Sequence, residues 1–155
     1  MLFRSAGFET SSRLNRDMID QIRLMPRVLV DIRERELAKT FLGRTWRLPF
    51  GIAPMGMCNL AWPNTDKAFA AAAVDHDIPV CLSTFGSSSI EDMGERASGN
   101  GWFQLYVGPS VDDAMNLVQR VEAAGYEYLL LTVDVPVVSA RPRRSEEHTS
   151  ELQSQ

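Results

Sequence analysis

Four stretches of this sequence set polar side chains at the ends of short apolar runs, where a ligand could be met. Gln104 and Tyr106 lie two residues apart in the run Trp102–Val107, so strand alternation turns an amide and a phenol toward one face. Polar groups in so apolar a run are costly to bury without partners, which argues for a ligand. Thr132 and Asp134 repeat that spacing at the end of Tyr128–Asp134, and Arg141 follows a few residues later. Ser83, Thr84 and Phe85 close the run Pro79–Ser83 with two hydroxyls and a ring, although the same residues suit plain helix capping. Pro54, Met55 and Gly56 close the run Phe50–Pro54. Gly56 has no Cβ, so a flat ring could approach this turn closely; an ordinary strand-to-helix turn would look the same.

Other chemistries find little support. The chain has two histidines. His76 sits at the polar end of a helical pattern, and His148 lies in an atypical tail, so the body of the chain offers no histidine general base. Cys58 and Cys81 lie in apolar surroundings without a CxxC spacing and read as small buried hydrophobes, and no metal is expected. A net charge of −4 argues against nucleic acid as a partner. No apolar run approaches the roughly 18 residues that span a bilayer, and residues 1–7 are too short for a signal peptide. A cytoplasmic location is expected.

The polar positions need a scaffold, and from residue 49 the pattern supplies one. Four near-continuous apolar runs, Phe50–Pro54, Pro79–Ser83, Trp102–Val107 and Tyr128–Asp134, suit strands buried on both faces. Helical patterns separate them. Asn64 precedes the alanine-rich Ala68–Val74, Ser88 with Glu91 has capping-box spacing, Ser110 with Asp113 repeats it, and Gly125 fits a helix C-terminus. Such β-α-β-α-β-α-β order requires a parallel sheet, doubly wound or closed into a barrel. The missing GxGxxG after the first run lowers the nucleotide-binding doubly wound reading. A closed barrel takes eight units, so four strands make half of one.

Residues 1–48 differ from this pattern. Asn15–Arg23 reads as a short polar helix, and Val28–Ile32 with Lys39–Phe41 as a hairpin that caps the bottom of the barrel. The string Arg144–Gln155 breaks the pattern: it has one apolar residue and no core-facing period. It matches one reading frame of a common sequencing adapter, so the natural sequence is expected to end near Arg143. The expected division is 1–48, a capping extension; 49–143, half a barrel; and 144–155, a non-native tail.

The stretches PFGIAPMG, LSTFGSSSIEDM, WFQLYV and LTVDVP, with NRDMIDQIRLMPRVLVDI upstream, resemble the FMN-dependent 2-hydroxy acid dehydrogenase and oxidase family, whose members oxidise lactate, glycolate and mandelate. The resemblance runs collinearly from about Glu9 to Arg143. It implies an α/β fold, the first four units of a (β/α)8 TIM barrel behind a small helix and hairpin. It implies FMN as cofactor, with Pro54, Met55 and Gly56 against the ring and the Gly56 N–H toward the flavin N5. Ser83 would meet the ring's carbonyl edge, Gln104 and Thr132 its pyrimidine edge. Tyr106 would bind substrate and share the catalytic role with Asp134, a supporting partner, while Arg141 would lie near the substrate carboxylate. Phe85 stands where relatives often carry Trp. Gly56 stands where many carry Ala, which leaves room above the flavin for a bulkier substrate.

By the same resemblance, the family's strand-five lysine, catalytic histidine, second arginine and phosphate loops fall beyond this sequence, so the chain alone is expected to be inactive. The whole enzyme would take a small 2-hydroxy acid, form a homo-oligomer and associate in some cases with a membrane. Two rivals stay open: another FMN-binding TIM-barrel enzyme, and a non-catalytic half-barrel that acts by association.

Overall fold

A computed structural model of the chain describes residues 10–133; Asp134, Arg141 and the tail 144–155 lie outside the described residues. These fall into two units, 10–33 and 34–133. The first unit holds α1 (Thr10–Gln21), a helix without a buried residue, which begins and ends earlier than the sequence suggests.

The second unit opens with an antiparallel hairpin, β1 (Lys39–Phe41) and β2 (Arg44–Trp46), with Lys39 opposite Trp46. Leu42 and Gly43 form its two-residue turn with φ of 51° and 80°, the positive values that match the strand twist. This corrects the expected pairing, since Val28–Ile32 forms no strand and Lys39–Phe41 pairs with the segment just after it. A two-residue turn closes at far smaller entropic cost than the longer connection would.

Three parallel strands follow in the order β3 (Val80–Ser83), β4 (Gly101–Tyr106), β5 (Tyr128–Thr132). Val80 lies beside Gly101, and Trp102 beside Tyr128. On one face Val80, Leu82, Phe103 and Leu105 pack into a core with helices α2 (Thr65–His76), α3 (Ile90–Ala97) and α4 (Val111–Ala123). Phe103, 1% exposed, is its largest fully buried side chain. The other face carries Cys81, Trp102, Tyr128 and Leu130, and Trp46 of the hairpin packs against it. Both tryptophans line an apolar groove of about 390 Å³ on that face. β5 alternates: Leu129 and Leu131, which point away from the groove, are exposed.

The fourth expected strand, Phe50–Pro54, is present only as a parallel bridge between Ile52 and Val80. Ile52 N–H donates to the Pro79 carbonyl (2.8 Å), and Cys81 N–H donates to the Ile52 carbonyl (2.9 Å). The next rungs would need N–H groups from Pro79 on one side and Pro54 on the other, and proline has none. The approach is also close: a Cβ on Gly51 would stand 2.7 Å from the Pro79 carbonyl oxygen.

Helix caps follow the sequence in part. Ser110 accepts from the Asp113 N–H (3.2 Å), and Gly125 takes φ 81° just past α4, both as expected. At α3 the cap is Ser89, which accepts from Asp92 N–H, and not Ser88 with Glu91. The Ser88 N–H instead donates to Asp66 (2.8 Å), which moves the helix start by one residue. At α2 the Asn64 side chain caps nothing; the Thr65 N–H donates to Asn59 Oδ1 (2.9 Å).

Candidate functional site

The C-terminal ends of the parallel strands bring Ser83, Gln104 and Thr132 into one hydrogen-bonded row. Ser83 Oγ donates to Gln104 Oε1 (2.9 Å), and Gln104 Nε2 donates to Thr132 Oγ1 (2.7 Å). Period-two alternation explains the meeting, because each residue lies on the face that carries Cys81, Trp102 and Leu130 lower down. Gln104 is only 4% exposed, yet both ends of its amide are partnered, which offsets much of its desolvation. Among the described residues the second Nε2–H of Gln104 and the Thr132 hydroxyl proton have no partner, and both remain to meet an acceptor.

The rest of the site is built by backbone bonds between neighbouring strand ends. Thr84 Oγ1 donates to the Gln104 carbonyl (2.7 Å) and accepts from the Tyr106 N–H (3.0 Å), so one hydroxyl extends the β3–β4 pairing past its last rung. Tyr106 is thereby fixed at the mouth, its ring 5.3 Å from that of exposed Phe85. Ser83 Oγ also accepts from the Phe85 N–H (3.2 Å), so this hydroxyl is engaged on both sides. The Pro54–Gly56 turn joins the same cluster through Met57, whose N–H donates to the Phe85 carbonyl (2.8 Å). A Cβ at Gly56 would sit 3.1 Å from Phe85 Cβ.

Thus Pro54, Met55, Gly56, Ser83, Gln104, Tyr106 and Thr132 belong to one strand-end cluster, while Asp134 and Arg141 lie outside the described residues. Sequence reasoning missed Asp66. Asp66 is 4% exposed and accepts from the N–H groups of Ser87 and Ser88 (2.8 Å each). An aspartate in a first helical turn ordinarily signals only a favourable helix start, so nothing in the local sequence marked it as buried.

The cysteines behave as small hydrophobes. Burial pushes the Cys81 thiol up to about 12, and Cys58 is raised by burial and then by the neighbouring Asp66 carboxylate. Neither is poised as a nucleophile. His76 is exposed, and no group of three or more metal-ligating side chains occurs among the described residues. No described helix is long and apolar enough to cross a membrane.

A parallel βα sheet with a polar row across its strand ends defines the class of α/β proteins that bind ligands at the carboxyl edge of the sheet. Comparison with known proteins narrows the class to a family. A family model described as FMN-dependent dehydrogenase matches residues 2–154. The chain is 40% identical over 129 residues to (S)-mandelate dehydrogenase of Pseudomonas putida, which covers 83% of the chain and 33% of that protein. It is 39% identical over 142 residues to L-lactate oxidase of Nostoc sp., with 89% and 39% coverage. The structure of monotopic membrane protein (S)-mandelate dehydrogenase superposes with a TM-score of 0.85 at 37% identity, covering 94% of the chain and 39% of its own. The chain belongs to the FMN-dependent dehydrogenase family, and it spans about a third of the length of the curated relatives it matches.

Proposed function

We propose that the chain forms the first four strand–helix units of an FMN-binding TIM barrel that oxidises a small 2-hydroxy acid to the 2-oxo acid. The observation that carries this is the row Ser83–Gln104–Thr132 at the strand ends. Among the described residues it leaves an amide N–H and a hydroxyl proton without an acceptor, a donor set that suits the carbonyls of a pyrimidine ring. The turn Pro54–Gly56 adds a backbone wall beside the row, held there by close packing of Gly56 on Phe85. Bound FMN would accept the two electrons that the substrate gives up with its hydroxyl proton and α-hydrogen.

The chain's own residues then have distinct tasks. Gln104 and Thr132 hold the pyrimidine edge, and Ser83 orients Gln104 from behind while facing the carbonyl edge. Tyr106 donates its phenol proton to the substrate. Asp134 would support the site, and Arg141 would grip the substrate carboxylate with two parallel N–H groups. A Cβ at Gly56 would press on Phe85 Cβ at 3.1 Å, so glycine here makes room for Phe85, and the bulkier substrate expected from Gly56 has no support in the structure. We place the whole enzyme in the cytoplasm as a homo-oligomer, with membrane association open to it, since one relative is described as a monotopic membrane protein.

The chain alone would lack the rest of the family's catalytic residues and stay inactive. The test joins the natural downstream sequence at Arg143. The product should be yellow, and its absorbance should bleach anaerobically with lactate, glycolate or mandelate, whereas the 155-residue chain with added FMN should do neither. A yellow protein that no 2-hydroxy acid bleaches would overturn the substrate class; turnover by the short chain would overturn the division of labour.

A further inference from the structure

Asp66 is the only buried carboxylate among the described residues, and its position is not explained by α2 alone. A carboxylate in the first turn of a helix gains from the helix dipole at the surface, without being buried. Burial carries a large desolvation cost that only hydrogen bonds to the charged oxygen offset. Here a single oxygen, Oδ2, takes the N–H groups of both Ser87 and Ser88 at 2.8 Å. The carboxylate therefore clamps the turn between β3 and α3.

That turn holds the loop across from it at two points. The Phe85 carbonyl accepts from Met57 N–H (2.8 Å), and Ser87 Oγ accepts from Asn59 N–H (3.2 Å). The other bonds of the Pro54–Met57 loop are local, from the Cys58 thiol to the Met55 carbonyl (3.6 Å) and from the Leu60 N–H to the Met57 carbonyl (3.0 Å), since its strand is reduced to the Ile52–Val80 bridge and Pro54 cannot donate. We propose that Asp66 is a positioning residue that sets the Pro54–Met57 loop against the flavin by fixing the Phe85–Ser88 turn. The flavin half of this statement rests on the function proposed above.

The two halves are tested separately. Amide hydrogen exchange on the chain without flavin reads the loop directly. Asp66→Ala should speed exchange at Met57 and Asn59 at least tenfold, with Gln104 and Tyr106 in β4 unchanged, and Asp66→Asn, which keeps a weaker, uncharged acceptor oxygen, should fall between the alanine variant and the parent. Faster exchange confined to Ser87 and Ser88 would overturn the coupling. Should Asp66→Ala lose protection throughout, the Asn variant decides: intermediate exchange at Met57 supports the clamp, and exchange equal to the parent overturns it. In the full-length protein the alanine variant should bind FMN at least fivefold more weakly, with the Asn variant between. A loosened loop with unchanged FMN affinity overturns the link to the flavin, while anaerobic bleaching of the parent protein independently tests the flavin reading itself.

Discussion

Gln104 Nε2 lies 2.7 Å from Thr132 Oγ1, a bond that ties the end of β5 to the buried centre of the sheet. Gln104→Leu keeps the side chain's bulk and removes both bonds of its amide. Ser83 would keep the Phe85 N–H but lose its acceptor, and Thr132 would lose its donor, at a cost of about 1–3 kcal/mol for each group left unsatisfied. We expect a lower urea midpoint with an unchanged slope, and loss of yellow colour in the full-length form. A midpoint equal to the parent would mean that water replaces the amide freely.

Gly94 should reverse the usual rule for helices. Replacing a helical glycine by alanine ordinarily stabilises by about 1 kcal/mol. Here a Cβ would stand 2.5 Å from the Ala124 carbonyl oxygen, a backbone atom, and 3.1 Å from Tyr126 Cε2. Overpacking of that kind costs about 1–3 kcal/mol and wins. Gly94→Ala should therefore lower the melting temperature, whereas Gly108→Ala, with nothing within 4 Å of its Cβ, should leave it near the parent value.

Alkaline stability follows from Cys81. Its thiol ordinarily ionises near 9 and is pushed up to about 12 by burial in the fold. The unfolded chain therefore releases this proton first. Stability is complete below about 9 and falls as pH rises from there toward 12, by up to about 1.4 kcal/mol per pH unit. Cys81→Ala should flatten the decline seen in denaturant melts as pH rises above about 9, and native Cys81 should resist alkylation near the same pH. An identical decline in the alanine variant would assign it elsewhere; the buried Tyr126 phenol, also raised by burial, is the next group to test.

The scaffold was more legible in the sequence than the connections within it. Pro79–Ser83, Trp102–Val107 and Tyr128–Asp134 announced strands because unbroken apolar runs have few other uses; β3 and β5 lie within their runs, and β4 starts one residue before its own. The period of two put Gln104 and Tyr106 on one face of their strand, and the family resemblance set Gln104 with Thr132, which the structure joins by a hydrogen bond. Phe50–Pro54 looked equally strand-like, but ladder bonds depend on which partner carries an N–H, and Pro79 and Pro54 remove the donors on both sides of Ile52. The hairpin failed because apolar content says nothing about which neighbour closes the shorter turn. Asp66 stayed hidden because burial of a carboxylate is decided by amides more than twenty residues away, in Ser87 and Ser88. The strand-end cluster was thus visible as a set of residues, and the turn that holds it was not.

The tail should be dispensable. Residues 144–155 contain one apolar residue, Leu152, and no stripe that could be buried. Deleting them should leave the melting temperature within error. A loss above about 1 kcal/mol, the size of a real contact, would show that they contribute to the fold.

Arg141 tests the substrate half of the proposal without disturbing the flavin half. Arg141→Lys, made in the full-length protein, keeps the positive charge and loses the planar fork that grips a carboxylate with two parallel N–H bonds. A lost charge-assisted hydrogen bond is worth about 1.5–3 kcal/mol, or roughly ten- to a hundredfold in an equilibrium constant. We therefore expect KM for a 2-hydroxy acid to rise by about that factor, while the FMN dissociation constant stays within twofold of the parent. The two constants should separate because the proposed pyrimidine-edge contacts would come from Gln104 and Thr132, whose bond to each other does not involve Arg141. Flavin affinity that falls as far as substrate affinity would place Arg141 on the cofactor. An unchanged KM would remove it from the site altogether, and the carboxylate grip would have to come from residues farther along the chain.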